Sequence, residues 1–222
     1  MSEGLEMIVI EPDTEATACV IWLHGLGADG HDFEAIVPEL GLPAGHGVRF
    51  VFPHAPLMPV TINQGYVMRA WYDILSMEIA TTQDEVGIRH SAQLLEALID
   101  EQRKQGIAAE KIVLAGFSQG GAIALHTGLR HAEKLAGIMV LSSYLPLEDM
   151  LQGEATEANR NTPVLLAHGT QDPVVPYRLG VQTRRVLKDL DYPVQWHEYA
   201  MEHSVCLEEI KDISSWLDKR LL

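Results

Sequence analysis

The chain has 222 residues, 47% of them hydrophobic and 21% charged, which is enough to bury the core of one domain spanning residues 1–222. Its formal net charge is −15 at pH 7 and its 16 Lys and Arg residues are scattered, which argues against nucleic acid and anionic membrane surfaces as partners. The acidic first residues, the lack of a membrane-length apolar run and the two cysteines predict a cytoplasmic protein without stable membrane insertion or a disulfide framework.

Apolar runs alternate with amphipathic stretches along the chain. Continuous Val, Ile and Leu runs in the later strands indicate burial on both faces, which predicts the α/β class with a mainly parallel sheet between two layers of helices. The expected strands span residues 7–10, 19–24, 49–52, 111–115, 137–142, 164–168 and 194–199. The expected helices span residues 84–105, 119–130, 178–190 and 207–221.

The second expected strand is followed by Gly25, Gly27 and Gly30, a spacing that also occurs in dinucleotide-binding turns. That fingerprint requires an acidic residue about 20 positions later to hold the ribose, and residues 45–52 contain none. Asp29 would also place a negative charge beside a pyrophosphate. We therefore favour a tight loop that brings a backbone N–H group to a neighbouring site, with an NAD-dependent oxidoreductase as the remote alternative.

The connection over residues 54–83 is unusually long for an irregular segment, which makes it a candidate substrate-binding loop. Its apolar side chains either form a groove for an acyl chain or pack beneath the loop. They are Trp71, Tyr72, Ile74, Leu75, Met77 and Ile79. The substrate-binding candidates are Trp71, Tyr72, Leu75, Met77 and, from a later loop, Val175.

Residues 116–120 form a G-x-S-x-G motif between an expected strand and an expected helix. Gly116 and Gly120 allow a sharp turn and a close approach of the helix to the strand, so that the Ser118 hydroxyl stands at the apex. The Gln119 N–H group would lie at the helix N-terminus, where it can meet a developing oxyanion. Ser118 is thus the predicted nucleophile, and a structural turn serine is the competing interpretation.

Two later strands end in loops that carry a carboxylate and an imidazole. Asp172 follows the strand at 164–168, and His203 follows the last strand. Because the carboxyl ends of parallel strands meet at one edge of the sheet, we expect both side chains near Ser118. His203 would accept the Ser118 proton, and Asp172 would orient the imidazole and stabilise the imidazolium.

Other residues compete for these two roles. His24 and His168 also end expected strands, where they could simply bind loop backbone, and His203 is preferred because it follows the last strand. Asp191 precedes that strand and Asp149 lies in a predicted surface segment, so Asp172 is the preferred acid. No cofactor and no metal site is predicted, since Glu78, Asp84 and Glu85 are interpreted as a solvated loop and helix start.

Seven motifs, in order from about residue 17 to the C-terminus, resemble the phospholipase/carboxylesterase family, which includes small bacterial carboxylesterases and acyl-protein thioesterases of the lysophospholipase I type. They are LHGLG at 23–27, AWYD at 70–73, GFSQGG at 116–121, LAGI at 135–138, LSSYLP at 141–146, HGTQD at 168–172 and HS at 203–204. The resemblance implies an α/β-hydrolase fold and a serine hydrolase. It also implies a triad of Ser118, Asp172 and His203 and an oxyanion hole made by the N–H groups of Leu26 and Gln119.

The stretch between residues 142 and 164 is too short for a large cap domain, so an open site is expected. The main functional prediction is hydrolysis of carboxylic esters with short to medium acyl chains through an acyl-Ser118 intermediate. The alternative is an acyl-protein thioesterase or lysophospholipase acting on long acyl chains. A C–C or peptide-bond hydrolase and a catalytically silent binding module are further alternatives. The expected partner is a small-molecule ester or acyl thioester, and the expected assembly is a monomer or weak homodimer.

One residue departs from the family pattern, in which a glycine usually precedes the catalytic histidine. Here Glu202 occupies that position. Our hypothesis is that an inward-facing Glu202 carboxylate would favour the imidazolium form of His203 and disfavour anionic substrates. A carboxylate that faces solvent would have no such kinetic effect, and the sequence leaves both interpretations open.

Overall fold

The computed structural model describes residues 5–76, 78 and 82–222 of the chain. The strands are β1 Met7–Ile10, β2 Ala18–Leu23, β3 Val48–Pro53, β4 Leu57–Val60, β5 Tyr66–Arg69, β6 Ile112–Phe117, β7 Gly137–Leu141, β8 Val164–Gly169 and β9 Val194–Tyr199. The α-helices are α1 Ile36–Glu39, α2 Glu85–Lys104, α3 Gln119–Arg130, α4 Leu151–Glu154, α5 Tyr177–Asp189 and α6 Leu207–Leu221.

Seven strands form the central sheet in the order β1-β3-β2-β6-β7-β8-β9. Only β1 runs antiparallel to its neighbour among the described strands of this sheet, and every pair from β3 to β9 is parallel. The mainly parallel sheet predicted from the sequence is therefore confirmed. Its parallel strands bring the loops after β2, β6, β8 and β9 to the same edge.

Helices cover both faces of the sheet because successive strand residues point to opposite sides. Ile21 and Leu23 of β2 pack in one core cluster with residues of α2 and α3, whereas Val20 and Trp22 pack in a second cluster with residues of α6. A third cluster joins Leu187 of α5 to buried residues of β7 and β8. The full burial of β2 explains its unbroken apolar run.

The connection over residues 54–83 is not irregular throughout, which corrects the expectation from the sequence. It contains the antiparallel hairpin β4–β5, in which Leu57 pairs with Arg69 and Val60 pairs with Tyr66. The hairpin was missed because Leu57, Tyr66 and Val67 are exposed, so its two short strands lack a regular alternation of buried apolar and exposed polar residues. The four-residue helices α1 and α4 also escaped prediction, since each is about one turn long.

The other elements agree with the predicted positions to within two residues at each end. The connection from β7 to β8 contains the single turn of α4, which leaves no room for a large cap. Within the described part of the chain, none of the helices combines the length and the apolar character needed to cross a membrane.

Glu209 is a buried carboxyl in the first turn of α6, the helix that follows the loop carrying His203. Neither of its oxygens has a hydrogen-bond partner of normal geometry among the described residues. Burial raises the pKa of Glu209 from 4.5 to about 8, an effect that the Cys206 N–H group partly opposes. The folded protein therefore holds this carboxyl protonated at pH values where the unfolded chain releases the proton.

We expect the free energy of unfolding to depend on pH through Glu209. Below pH 4.5, the protonated Glu209 carboxyl makes its full contribution to the free energy of unfolding. This contribution decreases by up to about 1.4 kcal/mol per pH unit as the pH rises from 4.5 toward 8, and it does not return above that value. Glu209→Gln should remove this slope, which urea unfolding across that pH window measures. Glu208→Gln, at an exposed position on the same turn, is the matched control and should keep the parent's slope. Identical slopes in all three proteins would contradict the assignment.

Candidate active site

The turn between β6 and α3 places Ser118 at its apex with φ 53° and ψ −122°, a positive φ that is unusual for a residue with a side chain. Both flanking glycines are required by close packing. A Cβ atom on Gly116 would overlap the backbone of Gly120, and one on Gly120 would overlap the carbonyl of Leu23. The sequence expectation of a tight strand-to-helix turn thus corresponds to the observed geometry.

Two hydrogen bonds from the neighbouring strand β7 and the loop that follows it hold this strained turn. The Ser118 N–H group donates to the Leu141 carbonyl at 2.8 Å, and the Ser143 hydroxyl donates to the Ser118 carbonyl at 2.6 Å. Ser118 is 8% exposed, so neighbouring residues cover most of its surface. The surrounding bonds thereby offset the cost of the positive φ.

The structure brings Ser118, His203 and Asp172 into direct contact from three loops at the same sheet edge. The Nε2 atom of His203 lies 2.9 Å from Ser118 Oγ, and its Nδ1 atom lies 2.7 Å from Asp172 Oδ2. The Phe117 ring packs 4.6 Å from the imidazole, centroid to centroid, and limits its movement. A base positioned in this way is able to take the Ser118 proton while Asp172 holds the Nδ1–H tautomer.

Asp172 is buried, and its second oxygen is satisfied by its own loop. The N–H groups of Val174 and Val175 donate to Oδ1 at 2.8 and 2.9 Å. Burial by itself opposes ionisation, but the hydrogen bond with His203 and these two N–H groups together hold the pKa of Asp172 below its usual range. Asp172 is therefore a carboxylate at neutral pH.

The two competing histidines bind loop backbone. His24 contacts the Gly25 carbonyl with Nδ1 at 2.7 Å and accepts from the Ala55 N–H group with Nε2 at 3.0 Å. Burial lowers the pKa of His24 to about 4, so its imidazole is neutral. His168 contacts the Val175 carbonyl with Nε2 at 2.8 Å and thereby supports the loop that holds Asp172. The competing acids Asp149 and Asp191 are exposed.

Leu26 and Gln119 present two backbone N–H groups beside Ser118. Both residues line the same cavity as Ser118, and no acceptor within the described chain pairs with either N–H group. The Leu26 loop is fixed by Gly27, which has φ 76° and donates its N–H to the Arg69 carbonyl at 2.8 Å. Two free donors next to a serine hydroxyl are an arrangement that is able to stabilise an oxyanion.

The Gln119 side chain has a structural role that is separate from the role of its backbone N–H group. Its Oε1 accepts from the Trp71 N–H group at 2.8 Å, and its Nε2 donates to the Tyr72 carbonyl at 2.7 Å. Both ends of one amide are thus used to attach the 71–72 backbone to the nucleophile turn. This contact was not expected from the sequence, because hydrogen bonds between distant loops leave no local pattern.

A cavity of about 290 Å³ opens on Ser118 and has mostly apolar walls. Of the substrate-binding candidates, Tyr72 and Val175 line it. Trp71 lies beneath it, with its indole N–H donating to the His24 carbonyl at 2.9 Å, and Leu75 lines a separate narrow cleft. Met77 and Ile79 lie outside the described residues. The described residues that line it are Leu26, Ile62, Tyr72, Ile74, Ser118, Gln119, Tyr144, Pro173, Val174 and Val175.

The sequence profile of the phospholipase/carboxylesterase family matches residues 5–221 of the chain. A Neurospora crassa protein named acyl-protein thioesterase 1 is 42% identical over 214 residues, which cover 92% of this chain and 87% of that protein. The crystal structure of Arabidopsis thaliana SOBER1 superposes with a TM-score of 0.87 at 32% identity, covering 92% of this chain and 99% of that one. Zea mays acyl-protein thioesterase 2 gives a TM-score of 0.86 at 27% identity, covering 99% and 100%.

The chain belongs to the phospholipase/carboxylesterase family. Its α/β-hydrolase fold is thereby confirmed, and so is its assignment as a hydrolase of the esterase and thioesterase class that acts on an acyl substrate. Membership leaves no role for the dinucleotide interpretation of the loop after β2. Gly30 instead allows close packing, since a Cβ atom at this position would overlap the Phe52 carbonyl.

Four cavity residues in this family member were not among the sequence candidates, namely Ile62, Tyr144, Pro173 and Val174. Ile62 lies beyond β4 and reaches the site only because the hairpin folds back. Tyr144 belongs to the 141–146 motif, so the family resemblance could have identified it as a site residue. Pro173 and Val174 directly follow Asp172 in the sequence, and this proximity could have identified them. Among the described residues, no group of three or more His, Cys, Asp or Glu side chains is arranged to hold a metal ion.

Glu202 is exposed, and its carboxylate has no hydrogen-bond or ion-pair partner among the described residues. Charges that face solvent are strongly screened, so its position favours the interpretation without a kinetic effect. We expect Glu202→Gly to leave the midpoint of the acidic limb of the kcat/KM pH profile where it is in the parent. A displaced midpoint, measured at low and high salt, would restore the inward-facing hypothesis.

Proposed function

We propose that this chain is a serine hydrolase that cleaves acyl thioesters on protein cysteines, together with the corresponding oxygen esters. The observation that carries the proposal is the continuous contact from Asp172 through His203 to Ser118, which ends at an apolar cavity with two free N–H donors. The names of the relatives, acyl-protein thioesterase 1 and 2, support the thioesterase function over the short-chain to medium-chain carboxylesterase expected from the sequence.

In the first half of the reaction, His203 Nε2 takes the proton of Ser118 Oγ as that oxygen forms a bond to the acyl carbonyl carbon. The carbonyl oxygen becomes an oxyanion that accepts from the N–H groups of Leu26 and Gln119. When the C–S bond breaks, the departing sulfur takes the proton from His203. A thiol leaves, and the acyl group stays on Ser118 as an ester.

In the second half, a water molecule replaces the thiol. His203 takes a proton from the water as the water oxygen attacks the acyl-Ser118 carbonyl, and the same two N–H groups stabilise the second oxyanion. The bond from carbon to Ser118 Oγ breaks and His203 returns the proton to that oxygen. The products are a carboxylic acid and the restored Ser118, so protons balance over the cycle. Throughout, Asp172 stabilises the imidazolium.

The surroundings of the cavity suit a substrate that is attached to a larger molecule. Pro173 and Val174 are exposed on its rim, and the described part of the chain contains no large cap domain. The acyl chain would enter between Tyr72, Ile74 and Val175, where each buried CH₂ group contributes about 0.8 kcal/mol. The cysteine-bearing peptide would remain outside, which makes the acyl group the main recognised feature.

An S-octanoylated cysteine peptide and the matched O-octanoylated serine peptide test the proposal directly. We expect the thioester to be hydrolysed with release of a free thiol that a chromogenic disulfide detects, and the oxygen ester to be hydrolysed as well. Turnover of the oxygen ester without any turnover of the thioester would replace the proposal by a carboxylesterase. The Ser118→Ala protein is the control for non-enzymatic thioester loss.

Labelling by a fluorophosphonate separates the remaining candidate functions. A reactive Ser118 is expected to bind the probe covalently, as shown by the mass of the intact protein and of the peptide that contains residue 118. A protein that resists the probe would be a catalytically silent binding module of the same fold. A protein that is labelled but turns over neither peptide would be a hydrolase of C–C or peptide bonds.

A further inference from the structure

Two neighbouring tyrosines form part of the wall of the cavity that opens on Ser118. The hydroxyl groups of Tyr72 and Tyr144 lie 2.7 Å apart and form a hydrogen bond, and both side chains are almost fully buried. Because the hydrogen bond joins the two rings at their tips, they form one continuous part of this wall.

Two smaller spaces adjoin the catalytic cavity at this wall. One is a narrow cleft that shares Tyr72, Ile74 and Tyr144 with the catalytic cavity and has no room for a water molecule. The other has a volume of about 30 Å³ and is lined by Tyr144, Leu145 and Leu179 together with the polar residues Gln83, Glu148, Gln182 and Thr183. Tyr144 thus borders all three spaces.

The wall is attached to the nucleophile turn on both sides. On one side, the Tyr72 carbonyl accepts from the Gln119 side chain at 2.7 Å. On the other, Ser143 donates to the Ser118 carbonyl at 2.6 Å, and Leu145 donates its N–H to the Thr183 hydroxyl at 2.8 Å. Tyr144 is therefore held on both sides along the chain, and the distance from Ser118 to the wall is set by short bonds.

We propose that the hydrogen-bonded pair Tyr72–Tyr144 is the acyl-length limit of this enzyme and restricts efficient turnover to medium-length acyl chains. The inference rests on the proposed hydrolysis at Ser118 and names the acyl substrates of that site. The cavity of about 290 Å³ is just below the range of roughly 300–1,000 Å³ for small-molecule sites, in keeping with a chain of limited length.

Separating the two rings to admit a longer chain is unfavourable. Each hydroxyl has the other as its partner, so separation would leave two buried hydroxyl groups unpaired in apolar surroundings. Burial raises the pKa of Tyr144 to about 12 and that of Tyr72 well above its usual value, so both stay protonated over the working pH range. The limit is thus expected to be independent of pH.

The test compares Tyr144→Leu with Tyr144→Phe on a series of p-nitrophenyl esters from butanoyl to hexadecanoyl and on the matching acyl thioesters. Leucine removes the ring and opens the wall toward the space beside Leu179, whereas phenylalanine keeps the ring and removes the hydroxyl. For Tyr144→Leu we expect the ratio of kcat/KM for hexadecanoyl to that for octanoyl to rise about tenfold or more, mainly through a lower KM. Tyr144→Phe should change the ratio much less.

A second variant and a binding measurement cover the case in which Tyr144→Leu does not fold, as judged by circular dichroism. Tyr72→Leu should raise the same ratio from the other side of the wall. Calorimetric binding of octanoate and hexadecanoate to Ser118→Ala needs no turnover, and octanoate should bind at least as tightly as hexadecanoate. A parent enzyme that prefers hexadecanoyl, or unchanged ratios in both leucine variants, would overturn the length limit. A parent that hydrolyses no ester or thioester but still binds octanoate in preference would contradict the proposed function alone.

Discussion

Replacing Ser118 with alanine is expected to lower kcat for acyl thioesters and esters by about 10⁴- to 10⁶-fold. The lost Oγ atom, 2.9 Å from His203 Nε2, is the atom that forms the acyl bond in the proposed mechanism, and alanine offers no substitute. The N–H groups of Leu26 and Gln119 and the cavity survive, so a small residual rate above the uncatalysed reaction is expected. Steady-state kinetics together with the burst of released thiol measures both the loss in kcat and the residual rate.

The matched control for this prediction is Ser204→Ala. Ser204 is an exposed serine next to His203 in sequence, and its side chain contacts neither Ser118 nor Asp172. Its loss should leave kcat close to that of the parent. Thermal unfolding of Ser118→Ala should also resemble the parent, because alanine and serine have similar backbone costs at φ 53°. An active Ser118→Ala protein that has the parent's kcat would contradict the whole mechanism.

Asp172→Asn is expected to lower kcat by about 10⁴-fold with little change in KM. The carboxylate accepts the Nδ1–H bond of His203 at 2.7 Å, which leaves Nε2 free to take the Ser118 proton. The Val174 and Val175 N–H groups demand an acceptor at Oδ1. The amide NH₂ of asparagine must therefore face His203, where it favours the wrong tautomer and stabilises no imidazolium.

Asp191→Asn is the control for this substitution, because Asp191 is an exposed aspartate away from the Ser118 contacts. We expect parent-like kinetics from it. For Asp172→Asn, a rise in pH should recover part of the lost rate, because hydroxide replaces the general base that His203 in the wrong tautomer no longer provides. A loss smaller than about tenfold at neutral pH would indicate that another group orients His203.

The wall formed by Tyr72 and Tyr144 bears on how the relatives' names apply to this chain. A thioesterase for protein cysteines and an esterase for medium-length chains use the same attack on a carbonyl, so the triad geometry does not distinguish them. The distinction lies in the acyl pocket and the leaving group. Chain-length profiles and thiol release therefore measure two separate properties of one site.

Much of the fold is predictable from local patterns. The buried strands β6 to β8 have continuous apolar runs because both their faces are covered, and α2 and α6 have apolar residues at helical spacing because one face is covered. The hairpin β4–β5 lacks such a signal. Its exposed Leu57, Tyr66 and Val67 have no alternating pattern, since the hairpin lies outside the central sheet.

For the substrate-binding candidates too, the sequence predicts only part of what the structure shows. Trp71 and Tyr72 are adjacent aromatic residues in one motif, and nothing in the sequence distinguishes them. In the structure, Trp71 is directed under the site by its bond to His24, whereas Tyr72 reaches the cavity and meets Tyr144, which is 72 positions away in the sequence. The direction of a side chain in an irregular segment depends on contacts between distant loops. Such a segment has no periodic sequence pattern from which the direction could be predicted.

The sequence by itself determined the α/β class, the turn around Ser118 and the order of the loops that carry Asp172 and His203. These features are local, because a buried strand, a glycine-flanked turn and a helix start each depend on a few neighbouring residues. Only the tertiary structure decided which N–H groups remain free beside Ser118, that Glu202 faces solvent, and which described residues line the cavity. Those properties depend on packing between segments that are far apart in the chain, and no local pattern encodes them.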